Sequence, residues 1–236
     1  MSALFEELDY RVTPMGAISL RRRRLLGLER DVWEVMLGDE HLMSSLFTEG
    51  EIALTTLGLA AAKGSQLQVV VGGLGLGYTA RAALDDRRVA GVRVIDAMAA
   101  TIEWQRQGLT PMGDRLAADS RCELVEGDFF AMAEHGFDPA APGRRFDAVL
   151  LDIDHSPRAL LNPAHARFYT PASLARVAGQ LVEGGVFAMW SDAAPDADFE
   201  AVLATAFATV EATVVNFANP LTEADSSCTI YVATTA

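Results

Sequence analysis

Short hydrophobic stretches alternate with segments of helical spacing from residue 68 to the end of the chain. The predicted strands cover residues 68–71, 91–95, 123–125, 147–151, 185–190, 213–216 and 229–233. Some of them, such as "AVLL" at 148–151, are apolar throughout, which is typical of parallel strands covered on both faces. The alternation predicts an α/β fold, Rossmann-like and doubly wound, with a mostly parallel seven-stranded sheet.

The pattern before residue 48 is different. Residues 10–46 form short extended stretches separated by turn signals at 14–16 and 38–39. This predicts a small antiparallel sheet, which is too small to be stable alone. A helix follows, and Thr48 and Glu51 have the spacing of a capping box at its start.

The change of pattern divides the chain into two parts. We expect a small N-terminal β subdomain over 1–47 and a Rossmann-like catalytic domain over 48–236. In the second part, three capping side chains precede a proline and predict helix starts at Ser156–Pro157, Asn162–Pro163 and Thr170–Pro171.

The chain has 236 residues and a formal net charge of −13, which disfavours a nucleic-acid partner and favours cationic small molecules. Cys122 and Cys228 give neither a disulfide framework nor zinc-site spacing, so we expect no metal. Residues 1–10 lack a signal-peptide pattern and no apolar run could span a membrane, so we expect a cytoplasmic protein. The basic cluster at 21–24 is interpreted as a solvated sheet edge.

The segment "VVVGGLGLGYT" at 69–79 predicts a strand that ends in a glycine-rich turn before a helix. Gly73, Gly75 and Gly77 would let the backbone approach a nucleotide closely. The looser dinucleotide pattern fits, and Asp96 lies where an acid would bind the ribose of NAD. The same residues fit S-adenosylmethionine or a relative, so both cofactors remain open here.

Carboxylates after the later strands help to choose between the two cofactors. Gly127, Asp128 and Phe129 follow the third strand, and Asp128 could accept the amino group of adenine. Asp152 ends the fourth strand, and ligands of such sheets bind at the carboxyl ends of the strands. An NAD enzyme does not require this series of acids, so we favour the adenosyl-sulfonium interpretation and keep NAD as an alternative.

Five segments together resemble the Rossmann-like catalytic domain of spermidine synthases, the polyamine aminopropyltransferases, and their methyltransferase-like relatives: "VVVGGLGLGYTARAAL", "VRVIDAMAATIEW", "VEGDFF", "FDAVLLDIDHSP" and "FYTPASLARVAGQLVEGGVFAMWS". The resemblance implies a homodimer and a donor site built from Gly73, Gly75, Gly77, Asp96, Gly127, Asp128 and Phe129. It implies that Asp96 binds the ribose, that Asp128 binds the adenine, and that Asp152 helps to deprotonate the attacking amine.

The chain departs from that family at the groups that hold amines. The glycine turn carries Leu74 and Leu76, without the acid that grips the donor's aminopropyl group. Met43 lies near the position of a family glutamine. Asp154 comes one place earlier than the second acid of the family signature, and His155 takes that acid's place.

These departures favour methyl transfer onto a small acceptor, an amine by preference, from S-adenosylmethionine or its decarboxylated form. Asp152 is the expected catalytic residue, and Asp154, His155 and Trp190 are expected to face the acceptor. The alternatives are an aminopropyltransferase that makes a polyamine such as spermidine, and a non-catalytic nucleoside-binding protein.

Other conspicuous side chains are given structural interpretations. His41, His135 and His165 have no partners at metal-ligand spacing and are interpreted as surface residues. Trp104 and Tyr169 are interpreted as packing residues.

Overall fold

The computed structural model describes residues 4–222 and 224–236. A four-stranded sheet contains β1 (Phe5–Thr13), β2 (Gly16–Leu25), β3 (Arg30–Leu37) and β4 (Glu40–Ser44). A seven-stranded sheet contains β5 (Leu67–Gly72), β6 (Val89–Asp96), β7 (Cys122–Glu126), β8 (Phe146–Leu151), β9 (Leu181–Ser191), β10 (Thr209–Ala218) and β11 (Asp225–Thr234). The helices are α1 (Glu49–Ala61), α2 (Tyr78–Asp85), α3 (Ala99–Arg106), α4 (Gly113–Ala118), α5 (Phe129–His135), α6 (Pro171–Gly179) and α7 (Ala197–Leu203).

The large sheet has the strand order β10-β11-β9-β8-β5-β6-β7. Strands β5 to β9 run parallel, and β11 pairs antiparallel with β9 and β10. The predicted fold class and the seven predicted strands are confirmed. Strand order reverses between β5 and β8, and such a switch point opens a crevice at the carboxyl ends of the strands.

Both faces of the large sheet are covered, which explains its continuously apolar strands. Leu150 of β8 packs with Leu54 of α1 on one face, whereas its neighbour Val149 packs with Phe187 and Phe129 on the other. Adjacent strand residues point to opposite faces, so a parallel strand between two helical layers needs apolar side chains at every position.

The small sheet is antiparallel throughout, and β2 lies between β1 and β3. The interpretation of the arginine cluster at 21–24 as a sheet edge is therefore wrong. Its arginines pair with acids on the neighbouring strands: Arg22 lies 2.5 Å from Glu6 of β1, and Arg24 lies 3.3 Å from Asp31 of β3. Cross-strand pairs of opposite charge add modestly to the stability of the sheet.

Two of the three predicted proline-marked helix starts are present. The Thr170 hydroxyl caps α6, and Asn162 caps a short 3₁₀ helix at Pro163–Arg167. No helix follows Ser156; its hydroxyl instead accepts the amide of Ala159 at 3.0 Å in a turn. Serine before proline serves turns as well as helix caps, which explains this error.

The capping box expected at the start of α1 is absent. The Thr48 side chain makes no capping hydrogen bond, and the Thr48 amide donates to the Glu49 carboxylate at 2.9 Å. Glu51 is consequently not used as a cap. No helix among the described residues is both long and apolar enough to cross a membrane.

Two tryptophans join the small sheet to the large one. Trp104 of α3 is fully buried, as expected for a packing residue, and its indole N–H donates to the carboxylate of Asp9 on β1. Trp33 of β3 donates to the carbonyl oxygen of Leu109 at 3.0 Å. Trp104 also packs with Leu20 of β2, so the two sheets share one apolar cluster.

We predict that Trp104→Ala lowers the free energy of unfolding by about 3–5 kcal/mol, because it leaves a large cavity between the sheets. Trp104→Phe keeps most of the apolar volume and should cost about 1–3 kcal/mol for the hydrogen bond that Asp9 loses. Urea denaturation of both variants and the native protein measures the difference. Equal losses in the two variants would show that packing at this joint contributes little.

Candidate active site

A cavity of about 420 Å³ lies at the carboxyl ends of β5, β6 and β8. This volume is typical of a small-molecule site. The small sheet covers one side with Ile18, Val35 and Met43. Four carboxylates line the cavity, those of Glu51, Asp96, Asp128 and Asp152, and its described lining contains no lysine or arginine.

The glycine turn brings the ends of β5 and β8 together. Gly73 lines the cavity at φ +93°, and a Cβ at this position would overlap the carbonyl oxygen of Asp152. The Asp152 amide in turn donates to Gly72 at 2.8 Å. Only glycine fits there, because both the positive φ and the close backbone approach exclude a side chain.

The other two glycines of the turn have different surroundings. Gly75 lines the cavity, and a Cβ on it would overlap the sulfur of Met43. Gly77 does not line the cavity; it begins α2 at φ +94°, and a Cβ on it would lie 2.5 Å from Leu116. Gly77 therefore determines the conformation of the turn from the side that packs against the core, away from the cavity.

Met43 of β4 reaches from the small sheet into the glycine turn. Its sulfur accepts the amide N–H of Leu76 at 3.0 Å. Leu74 and Leu76 are both buried, so their side chains belong to the core. The side chains of the turn are thus apolar. The Leu76 amide already donates to Met43 and is not available to a ligand.

Asp96 lines the cavity at the end of β6 and ties together the loops around it. One carboxylate oxygen accepts the Leu74 amide at 2.9 Å, and the other accepts the Met98 amide at 2.8 Å. Burial raises the pKa of Asp96, while these amide hydrogen bonds oppose that shift. The Thr101 side chain and the Gly75 backbone also hydrogen-bond this carboxylate, and the expected ribose contact stays a prediction.

Asp128 combines a structural and a potential binding role. One carboxylate oxygen caps α5 by accepting the amides of Phe130 at 2.9 Å and Ala131 at 3.2 Å. The other oxygen makes no hydrogen bond within the described part of the chain, and the side chain borders the cavity. The expected contact with an adenine amino group therefore remains a prediction.

The two residues adjacent to Asp128 in the sequence, Gly127 and Phe129, are both more buried than Asp128. Phe129 is 2% exposed and borders the cavity from the core, where its ring packs against Gly72. Gly127 does not line the cavity, and its amide donates to the carbonyl oxygen of Asp96 at 3.0 Å. Gly127 thus fixes the spacing between the ends of β6 and β7.

Asp152 and Glu51 form a carboxylate pair. Asp152 accepts the Thr79 hydroxyl at 2.7 Å, and burial raises the pKa of Asp152 to about 6 despite that bond. Burial, and then the charge of Asp152, raise the pKa of Glu51 to about 8. Near pH 7 the pair therefore carries one proton and one negative charge, which suits it to accept a proton. Sequence reasoning missed Glu51, because its spacing from Thr48 resembles a helix cap.

Trp190 and His155 line the same cavity as this pair, and their expected contact with an acceptor stays a prediction. Trp190 lines the cavity, and a Cβ on the neighbouring Gly50 would lie 2.5 Å from its indole nitrogen. The His155 ring lies between two acids, 3.0 Å from Glu40 and 3.7 Å from Asp192. It thereby connects the small sheet to the loop after β9.

Asp154 is placed differently from the expectation that it faces the acceptor. Its side chain is fully buried behind the cavity wall. There it accepts hydrogen bonds from the Leu161 amide, the His165 ring and the Tyr169 hydroxyl, each at 2.8 Å. His165 itself lines the cavity with only 13% of its side chain exposed, so its interpretation as a surface residue is wrong.

No family model matches the chain. Solved structures do match it: the spermidine synthase from Thermotoga maritima aligns with a TM-score of 0.75 and 15% identity over 98% of this chain and 73% of that chain. A spermidine synthase in complex with the transition-state analogue AdoDATO aligns with a TM-score of 0.74 and 16% identity over 98% and 74%. A probable spermidine synthase from Corynebacterium glutamicum ATCC 13032 aligns with a TM-score of 0.64 and 15% identity over 96% and 79%. The chain has a spermidine synthase-like fold.

This likeness confirms the resemblance expected from the five segments. At this level of identity the comparison establishes the spermidine synthase-like fold alone, and chemistry has to be argued from the side chains. The described residues contain no cluster of three or more His, Cys, Asp or Glu side chains that could hold a metal ion.

The carboxylate pair predicts a pH dependence of stability. Folding raises the pKa of Glu51 from 4.5 to about 8, so the folded state holds this proton more tightly than the unfolded state. The free energy of unfolding should therefore fall as pH rises from about 4.5 to 8. Glu51→Gln removes this contribution, so the variant should match the native protein at the lower pH and melt higher at the upper one.

Thermal melts across this range measure the effect, with roughly 2–4 °C expected for each kcal/mol gained. Glu211→Gln is the matched control, because Glu211 is an exposed acid on β10. Parallel melting curves for native protein and Glu51→Gln at all pH values would contradict the shifted pKa.

Proposed function

We propose that this protein transfers an aminopropyl group from decarboxylated S-adenosylmethionine to an amine. The observation that carries the proposal is the pair of Asp152 and Glu51 in the cavity, with raised pKa values of about 6 and 8. The structural likeness to spermidine synthases, one of them bound to AdoDATO, supports aminopropyl transfer more than the methyl transfer expected from the sequence.

The charge of the cavity supports a cationic donor. Four carboxylates line the cavity, and the lining residues that the structure describes include no lysine or arginine. Such a cavity would repel the phosphates of a dinucleotide. A sulfonium nucleoside carries a positive charge and no phosphate. Asp128 has a carboxylate oxygen free to accept a hydrogen bond from the base, Asp96 borders the same cavity as the candidate for the ribose, and Gly73 allows close approach of the backbone.

The acceptor end supports proton removal from an amine. In the transfer, the amine nitrogen forms a bond to the carbon next to sulfur, the carbon–sulfur bond breaks, and sulfur leaves as a neutral thioether. The nitrogen must lose a proton, and the ionised member of the Asp152–Glu51 pair can accept it. Thr79 holds one oxygen of Asp152, so the other oxygen remains for the amine.

Methyl transfer from S-adenosylmethionine is the second candidate, and the glycine turn favours it. The turn has no carboxylate to hold the ammonium of an aminopropyl group, and Leu74 and Leu76 are buried. An unpaired ammonium would be costly in such surroundings. In the aminopropyl proposal, Asp152 and Glu51 have to provide the negative charge for the donor's ammonium as well.

Donor binding separates these candidates. We expect isothermal titration to show binding of decarboxylated S-adenosylmethionine and weaker binding of S-adenosylmethionine, because no lysine or arginine among the described lining residues could pair with the donor's carboxylate. NADH serves as the control ligand and should not bind. Incubation of each donor with a panel of amines, followed by mass spectrometry, identifies the transferred group. Tight binding of S-adenosylmethionine together with methylated products would overturn the aminopropyl assignment.

Asp152→Asn should lower kcat by roughly 10²–10⁴-fold, because the amide cannot accept the proton. Binding of the neutral nucleoside 5′-methylthioadenosine should change little. In the native protein, kcat/KM should rise with pH through about 6 as Asp152 ionises. Asp198→Asn is the control, since Asp198 is exposed and pairs with Arg158. Ligand binding without turnover of any amine in the native protein would favour the non-catalytic alternative.

A further inference from the structure

His165 lies in the cavity wall beside the proposed donor site. It belongs to the 3₁₀ helix at Pro163–Arg167, and its ring stacks on Phe130 with 3.9 Å between ring centroids and 29° between planes. Both rings line the cavity. Stacking fixes the plane of the imidazole, so its edge has a defined direction.

Asp154 fixes the rotation of that ring. The Nδ1 atom of His165 lies 2.8 Å from the fully buried Asp154 carboxylate, which also accepts the Tyr169 hydroxyl and the Leu161 amide. Burial and the charge of Asp154 raise the pKa of Tyr169, so the phenol keeps its proton and donates. When the imidazole donates its Nδ1–H to this carboxylate and is otherwise unprotonated, its Nε2 is a hydrogen-bond acceptor.

A second acceptor lies on the same wall. The amide of Phe130, the residue on which His165 stacks, donates to one oxygen of Asp128 at 2.9 Å. The other oxygen of Asp128 and the Nε2 of His165 have no protein partner within residues 4–222 and 224–236, and both side chains border the cavity. Two hydrogen-bond acceptors thus flank one part of the cavity.

We propose that His165 is a specificity residue for the base of the donor, a proposal that rests on the proposed function. Its Nε2 accepts one hydrogen of the exocyclic amino group of adenine, and Asp128 accepts the other. An amino group has two hydrogens and satisfies both acceptors. A base with a carbonyl oxygen at that position would face two acceptors and be rejected, because unpaired polar groups at a desolvated site are costly.

Asp154 acts as a positioning residue in this arrangement. It lies behind the wall and does not face the cavity, and it determines which nitrogen of His165 is the acceptor. Carboxylate–imidazole pairs fix the tautomer of histidines in other functional sites in the same way.

Isothermal titration with 5′-methylthioadenosine and 5′-methylthioinosine tests the proposal without requiring turnover. The native protein should prefer the adenosine compound. His165→Phe keeps a ring for stacking on Phe130 and removes the acceptor, so its affinity for the adenosine compound should fall roughly three- to tenfold. Its affinity for the inosine compound should not fall, so the preference between the two compounds narrows.

Two further variants separate base recognition from damage to the wall. Tyr169→Phe removes one donor to Asp154 and leaves His165 in place, so the preference should stay as in the native protein. His165→Gln can donate to Asp154 and present an amide oxygen to the cavity, so it should keep part of the preference. Thermal melts identify any variant that does not fold. If one of the two His165 variants fails to fold, the base preference of the other decides whether His165 recognises the base.

The outcomes distinguish this inference from the proposed function. Equal losses for both compounds in His165→Phe, or an unchanged preference, would show that His165 only packs in the wall. If the native protein binds neither compound, the proposed adenosyl donor is wrong, and the role of His165 falls with it.

Discussion

The contact between the glycine turn and the end of β8 determines the geometry of the whole cavity. Gly73 lies against the backbone of Asp152, and the Asp152 amide donates to Gly72. This contact places the glycine turn and the Asp152 carboxylate side by side. A side chain at Gly73 would separate the two strand ends, because it would overlap the Asp152 carbonyl oxygen. The groups proposed to bind the donor and the acceptor are therefore adjacent as a direct result of backbone packing at the switch point.

Burying a carboxylate in this cavity costs desolvation free energy, and that cost is offset in a different way at each of the four acids. Backbone amides hold Asp96, and the start of α5 holds Asp128. Asp152 has only the Thr79 hydroxyl, and Glu51 has a raised pKa. The first two acids are suited to hold neutral groups in fixed positions, since their charges are already hydrogen-bonded. The latter two keep a poorly compensated charge, which is what a cation and a transferred proton require.

Local patterns were sufficient to predict the sheet and the glycine turn, because strand periodicity and glycine spacing depend on neighbouring residues. Glu51 and His165 depend on contacts between distant segments. Glu51 at the start of α1 faces Asp152 at the end of β8, and no local signal distinguishes it from a cap. His165 stacks on Phe130, 35 positions earlier (165 − 130), and no spacing rule predicts that contact. The arginine cluster at 21–24 was misplaced for the same reason, since its partners lie on other strands.

The acid signature after β8 differs from the family pattern because Asp154 and His155 have different roles in this structure. Asp154, one place earlier than in the family pattern, points behind the wall and holds His165, so its charge does not enter the cavity. His155 is held between Glu40 and Asp192 at the rim. Asp152 and Glu51 therefore remain the acids that face the cavity near the end of β8, and they share a proton near pH 7. About one negative charge thus remains on this pair, and the aminopropyl proposal requires that charge both for the donor's ammonium and for the proton of the attacking amine.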